Sequence, residues 1–158
     1  MEAVEVSSTI KKGSWFMSAM AVYALVMSVM WVFVTEIVFV SDFAGYTGQT
    51  YAEYLAAEPV YAEMYMITKK LVGIMIAVSS TLMILVNHHS YRKGERWSWY
   101  ALLIAGALLW GTLIGYRVLI GYLAPSIVTF VVGAALWIIG ITLPAKEILG
   151  SGSSRQID

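Results

Sequence analysis

The chain has 158 residues, of which 59% are hydrophobic and only 13% are charged, and its formal net charge is zero. Soluble domains carry about 25% charged residues, so this composition indicates a membrane protein. Zero net charge gives no electrostatic basis for binding nucleic acid. Because the chain contains no cysteine, disulfides, thiolate metal sites and catalytic thiols are excluded.

Four apolar segments are long enough to cross a bilayer as helices. They lie at about residues 14–40, 66–89, 97–122 and 124–143. They predict an all-α, polytopic membrane protein: one domain over residues 1–158, built as a four-transmembrane-helix bundle with a short outer interfacial helix in segment 42–65. We interpret the first segment as a retained span, because it is much longer than a signal-peptide core. The glycine- and serine-rich tail, 150–158, is predicted to be disordered.

The distribution of basic residues predicts the orientation. Seven basic residues lie on the side that holds both termini, against three on the other side. The seven are Lys11, Lys12, Arg92, Lys93, Arg96, Lys146 and Arg155, and the three are Lys69, Lys70 and Arg117. The positive-inside rule therefore predicts a multi-pass protein of the cytoplasmic (inner) membrane with both termini in the cytoplasm.

Two charged residues lie inside otherwise uncharged apolar runs. Glu36 is in the first predicted span and Arg117 is in the third, each about 8 Å below the outer boundary at 1.5 Å per residue. Equal depth and opposite charge predict an interhelical ion pair, which Lys69 and Lys70 can join by snorkelling. One hypothesis is that the pair only fixes helix register. The other is a proton or ion site, or pocket, open to the outside.

The outer segment carries a helix-start signal. Thr50 and Glu53 form a capping-box pattern, which predicts a short helix from Tyr51 to Ala57. Pro59 fits the first turn of another helix that runs into the second span. Four tyrosines recur at helical spacings along this segment: Tyr51, Tyr54, Tyr61 and Tyr65. We interpret them as an interfacial cap, with a lid or binding surface for a ligand or partner subunit as the alternative.

His88 and His89 are the only histidines, at the cytoplasmic end of the second span. Neighbouring helical residues point about 100° apart, so one metal cannot easily bind both rings. They are predicted to cap the helix C-terminus. No cofactor or metal is predicted, and a haem ligand is the weaker alternative.

Small residues recur every four positions on two spans. Ala107, Gly111 and Gly115 do so on the third, and Gly73 and Ala77 on the second. Such stripes let helix backbones approach closely. They predict that the second and third helices meet along them, or that one stripe forms a dimer face.

The loop between the second and third spans holds a distinctive string. It comprises Arg92, Gly94, Glu95, Arg96, Trp97, Trp99 and Tyr100. Trp97, Trp99 and Tyr100 are predicted to anchor the third helix at the interface. The string resembles the cytoplasmic loop of small, uncharacterised prokaryotic four-span membrane proteins, which share an Arg-x-Gly-Glu-Arg-Trp-x-Trp-Tyr turn. The resemblance covers the second and third spans and implies a topology but no activity.

No nucleophile–base pair, metal box or nucleotide motif is present, which disfavours an enzyme. Three functional hypotheses follow. The first is a non-catalytic subunit or assembly protein, whose partners are the lipid bilayer and either another membrane subunit or a second copy. The second is a small proton- or ion-coupled transporter using Glu36 and Arg117. The third is a haem- or quinone-linked redox subunit using His88 or His89.

Overall fold

The computed structural model describes residues 7–119, 121 and 127–150. These residues form helices α1 (Ser8–Phe33), α2 (Thr35–Thr47), α3 (Tyr51–Ala57), α4 (Pro59–His89), α5 (Arg96–Leu119), α6 (Ile127–Thr142) and α7 (Ala145–Gly150), with a 3₁₀ turn at Tyr91–Lys93. Four helical stretches in this part of the chain are long and apolar enough to cross a membrane. The predicted all-α, four-span fold is thus confirmed. The link between the third and fourth spans and the residues beyond 150 lie outside the described residues.

The first predicted span, 14–40, does not correspond to one helix: the helix that contains its start begins at Ser8, and the chain breaks at Val34. The Thr35 hydroxyl donates to the Trp31 carbonyl at 2.6 Å, a back-bond of the kind that bends helices. Hydropathy does not register this break, because apolar residues resume at once from Ile37 to Val40. Glu36 consequently lies in the first turn of a separate helix, α2.

The local signals in the outer segment are confirmed. Thr50 Oγ1 accepts from the Glu53 N–H at 3.2 Å, and the Glu53 carboxylate accepts from the Thr50 N–H at 2.8 Å. Helix α3 spans Tyr51–Ala57, and α4 begins at Pro59. The continuous helix α4 therefore joins this segment directly to the second span.

The small-residue stripes do not meet as predicted. An added Cβ at Gly73 would lie 2.9 Å from the Trp31 Cβ, so this glycine packs against α1 instead of α5. Ala107 is exposed, and no described atom lies within 4 Å of a Cβ added at Gly111 or Gly115. Helix α1 is the central helix, because it makes the main packing contacts with both α4 and α6. The α5 stripe faces away from the rest of the described bundle.

Two tryptophan–glycine contacts hold α5 against α6. A Cβ added at Gly106 would lie 2.0 Å from Trp137 Nε1, and one added at Gly133 would lie 2.1 Å from the Trp110 ring. Trp137 also donates to the Leu102 carbonyl at 3.0 Å. Each helix thus inserts one indole into the space left by a glycine of the other.

Polar contacts join the helices at the end of the bundle near the 3₁₀ turn. The buried Asn87 amide donates to the Ser14 carbonyl at 2.9 Å and to Ser18 Oγ at 2.7 Å. The buried Tyr91 hydroxyl donates to the Gly140 carbonyl at 2.6 Å. These bonds tie α4 and the turn to α1 and α6.

Candidate functional site

The ion pair inside the bundle joins Arg117 to Asp42, at 2.5 Å, which corrects the predicted partner Glu36. The two side chains are only 11% and 12% exposed, whereas Glu36 is exposed and makes no ion pair with a described residue. Six positions on a helix correspond to a rotation of about 120° between side chains. Because α2 turns Asp42 toward Arg117 of α5, Glu36 lies on a different, exposed side of α2.

Lys69 lies beside this pair, as predicted, but its ammonium group contacts aromatic rings. Its Nζ is 5.1 Å from the centroid of Phe39 and 5.0 Å from that of Tyr65. Within the described part of the chain it makes no salt bridge or hydrogen bond. Lys70 is exposed and does not join the cluster. A half-buried ammonium group is therefore held by two aromatic faces and has no hydrogen-bond acceptor among the described residues.

The three charged groups line a cavity of about 490 Å³ at the end of the bundle that carries α3, called here the charged pocket. Its other walls include the rings of Trp31, Phe39, Phe43, Tyr65, Tyr116 and Phe130. The Arg117 guanidinium lies 5.6 Å from the Phe130 centroid. Two cationic groups and one carboxylate leave an excess positive charge among mostly apolar walls.

Phe43 connects the charged pocket to α3. Its ring centroid lies 5.1–5.7 Å from the rings of Tyr51, Tyr54 and Tyr65. The Tyr51 hydroxyl donates to the Ala62 carbonyl at 3.1 Å, and burial, followed by the nearby acidic charge of Glu36, raises its pKa. Tyr61 is 61% exposed and faces away. Three of the four predicted tyrosines thus form one aromatic cluster at the pocket.

An apolar groove of about 710 Å³ runs between α4 and α5. Its walls comprise side chains such as Leu71, Met75 and Leu82 of α4 and Leu108 of α5, and those four are exposed on the bundle surface. Thr68, Val72, Thr112 and Leu113 line both the groove and the charged pocket. The two cavities are therefore neighbours that share a wall.

The histidines lie at the C-terminal end of α4, remote in sequence from the charged pocket. His89 Nδ1 is 3.0 Å from the Leu85 carbonyl oxygen, and His88 Nδ1 is 3.5 Å from an Arg92 nitrogen. Both rings are exposed. Among the residues that the structure describes, no group of three or more metal-ligating side chains is present.

The loop aromatics differ in their contacts. Trp97 and Tyr100 are 55% and 48% exposed, as interface anchors would be, and Trp97 donates to Glu95 at 2.6 Å. Hydrogen bonds from Trp97 and Ser90 lower the Glu95 pKa. Trp99 instead donates to the Ile141 carbonyl at 3.0 Å and ties α5 to α6.

Asn87 is a buried polar residue whose interhelical contacts were not predicted from the sequence. The signal was available, since an amide within an apolar span commonly bonds a neighbouring helix. Asp42 follows the first apolar run in sequence and was therefore assigned to the outer segment, 42–65. The break at Val34 turns it toward the bundle instead.

The fold defines the class: a multi-pass, all-α membrane protein with four candidate spans that contact lipid. Comparison of the chain with protein-family models, with curated proteins and with solved structures finds no match. The suggested kinship with uncharacterised four-span proteins stays a prediction.

Proposed function

We propose that the protein is a non-catalytic membrane protein that binds an anionic group in the charged pocket. The observation that supports this is the Lys69 ammonium group, which lines the cavity and has no acceptor among the described residues. A charge removed from water is costly unless it is paired. Arg117 is engaged by Asp42, so Lys69 is the group that an incoming anion would neutralise.

The experiment compares Lys69→Gln with Lys70→Gln, a matched change at the neighbouring, exposed lysine. Trp31 lines the pocket, so its fluorescence reports binding when the detergent-solubilised protein is titrated with inorganic phosphate or benzoate. We expect saturable binding that Lys69→Gln weakens by about tenfold, as loss of one desolvated charge contact does. Lys70→Gln should bind like the wild type. Equal affinities of the two variants would refute the proposal.

The proposed orientation places both termini in the cytoplasm and the charged pocket in the outer half of the inner membrane. It is supported by the excess of basic residues on the terminal side. Because the chain has no cysteine, Gln49→Cys and Lys93→Cys give clean single labels. A membrane-impermeant maleimide added to intact cells should label position 49 and spare position 93. The opposite pattern would invert the topology.

A second candidate function is that of an interaction subunit, and the outward α5 stripe favours it. Membrane-span glycines such as Gly73 and Gly133 have side-chain neighbours within 4 Å of an added Cβ, whereas Gly111 and Gly115 have none among the described residues. Glycine costs about 1 kcal/mol relative to alanine in a helix. Packing within the described chain does not explain why glycine occupies these two positions. A second copy is the simplest occupant, because such stripes are self-complementary. Gly111→Leu should then abolish dimer crosslinking in membranes.

Two hypotheses remain, a transporter and a redox subunit. The transporter hypothesis loses its predicted Glu36–Arg117 pair. The redox hypothesis stays a prediction that an optical spectrum of the purified protein would test.

A further inference from the structure

We propose that the ligand is a membrane amphiphile whose anionic head occupies the charged pocket and whose acyl chain occupies the α4–α5 groove. This inference rests on the proposed anion-binding function and adds the class of ligand. The head is a phosphate or a carboxylate, since either would neutralise Lys69.

The charged pocket and the groove are continuous. Thr68 and Val72 on α4, with Thr112 and Leu113 on α5, line both of them. A molecule with its head near Lys69 can therefore extend past these four side chains into the groove without crossing a helix.

The chemistry of the walls changes along this path. The charged pocket contains Asp42, Lys69 and Arg117, whereas none of the described residues that line the groove is ionisable. Its hydroxyl groups on α4 are bonded internally; Ser79, for example, donates to the Met75 carbonyl at 2.9 Å. A charged end followed by an apolar end is the polarity of an amphiphile.

The groove is longer than an acyl chain of one leaflet. On α4 the groove extends from Thr68 to Val86, which is about 27 Å at 1.5 Å per residue. An acyl chain of one leaflet needs about half of the roughly 30 Å hydrocarbon core. The groove is open to the side, so a lipid in the surrounding leaflet can enter it laterally. The groove is therefore long enough to hold the whole acyl chain. Because it shares a wall with the charged pocket, we commit to an acyl chain with an anionic head as the occupant, in preference to a helix of another subunit.

The experiment uses the full chain in detergent micelles and three probes. Oleoyl lysophosphatidic acid has both head and chain, glycerol phosphate has the head alone, and monoolein has the chain with a neutral head. Affinities are measured by native mass spectrometry and by ligand-induced thermal stabilisation. Wild-type protein should bind lysophosphatidic acid more than about tenfold tighter than either other probe. Glycerol phosphate lacks the methylenes that add affinity when buried, and monoolein lacks the charge that would pair with Lys69.

The variants separate the head from the chain. Lys69→Gln should reduce the affinity for lysophosphatidic acid to that for monoolein. Ala105→Phe fills the groove and should weaken binding of both chain-bearing probes, leaving glycerol phosphate unaffected. Ala135→Phe is the matched control, because Ala135 is exposed on α6 outside the groove. Ser79→Phe, on the opposite groove wall, replaces Ala105→Phe if the latter does not fold.

Each result has one meaning. If glycerol phosphate binds through Lys69 as tightly as lysophosphatidic acid, and groove filling has no effect, the amphiphile inference is wrong while the proposed function stands. If no anionic probe depends on Lys69, the proposed function itself is wrong. If Ala105→Phe changes the oligomeric state and spares lipid binding, a second copy occupies the groove and the inference is overturned.

Discussion

The contact between Gly133 and Trp110 gives the most direct test of how α5 and α6 pack. A Cβ added at Gly133 would lie 2.1 Å from the Trp110 ring, which is 1% exposed and has no free space to enter. Overpacking of this kind costs about 1–3 kcal/mol. Alanine also gains about 0.8–1.0 kcal/mol of helix propensity over glycine, which offsets part of that cost.

Gly111→Ala is the matched control, since it brings the same propensity gain on α5 but meets no described atom within 4 Å. The free energy of unfolding of Gly133→Ala should therefore lie about 1–3 kcal/mol below that of Gly111→Ala. Equilibrium unfolding in mixed detergent micelles, followed by circular dichroism, measures the difference. Trp110→Phe, with a smaller ring, should reduce it. Equal stabilities of the two alanine variants would refute the close-packing argument.

Three further outcomes are expected. Asp42→Asn should destabilise the fold by up to about 3–5 kcal/mol, because it removes the buried carboxylate that pairs with Arg117. Glu36→Gln should change the stability by less than about 0.5 kcal/mol. Similar effects of the two changes would restore Glu36 as the partner. Thr50→Ala should cost α3 about 0.5–2 kcal/mol, read from amide exchange, with Thr50→Ser as the neutral control. Hydrogen bonds from the Thr50 backbone and hydroxyl lower the Glu53 pKa below its ordinary 4.5. The cap is therefore intact above pH 4.5 and is lost as the pH falls through the lowered pKa. An NMR titration of Glu53 that is unchanged by Thr50→Ala would contradict this.

Local signals predicted the elements that depend on neighbouring residues. The capping pattern at Thr50 and Glu53 placed α3 correctly, and Pro59 marked the start of α4. These signals work because the groups that satisfy a helix end lie within a turn of it. Hydropathy likewise predicted four spans, since the bilayer fixes the length of each apolar run.

Long-range partners were harder to predict from the sequence. The Gly73 stripe indicated a face for close approach, and that face is used, but by α1 instead of α5. A spacing of small residues defines one surface and contains no information about the helix that covers it. Lys69 lies beside the Asp42–Arg117 pair and lines the same pocket, so this neighbour of the pair was within reach of an argument from position along the span.

The break at Val34 explains why the candidate site could not be predicted in full. A straight continuation of α1 would carry Asp42 about 14 Å beyond Phe33 along the helix axis, away from Arg117. The break instead starts α2, which contacts α3 and α4 and brings Asp42 to Arg117. It also brings the Phe39 ring to 4.7 Å from that of Trp31, so both walls of the charged pocket depend on it. The signal for the break is one hydroxyl, that of Thr35, within an apolar run, and a single threonine is compatible with a straight helix as well. Ser79 and Thr81 donate the same type of back-bond within the continuous helix α4. The pocket is therefore a property of the tertiary arrangement, which this local bond does not determine.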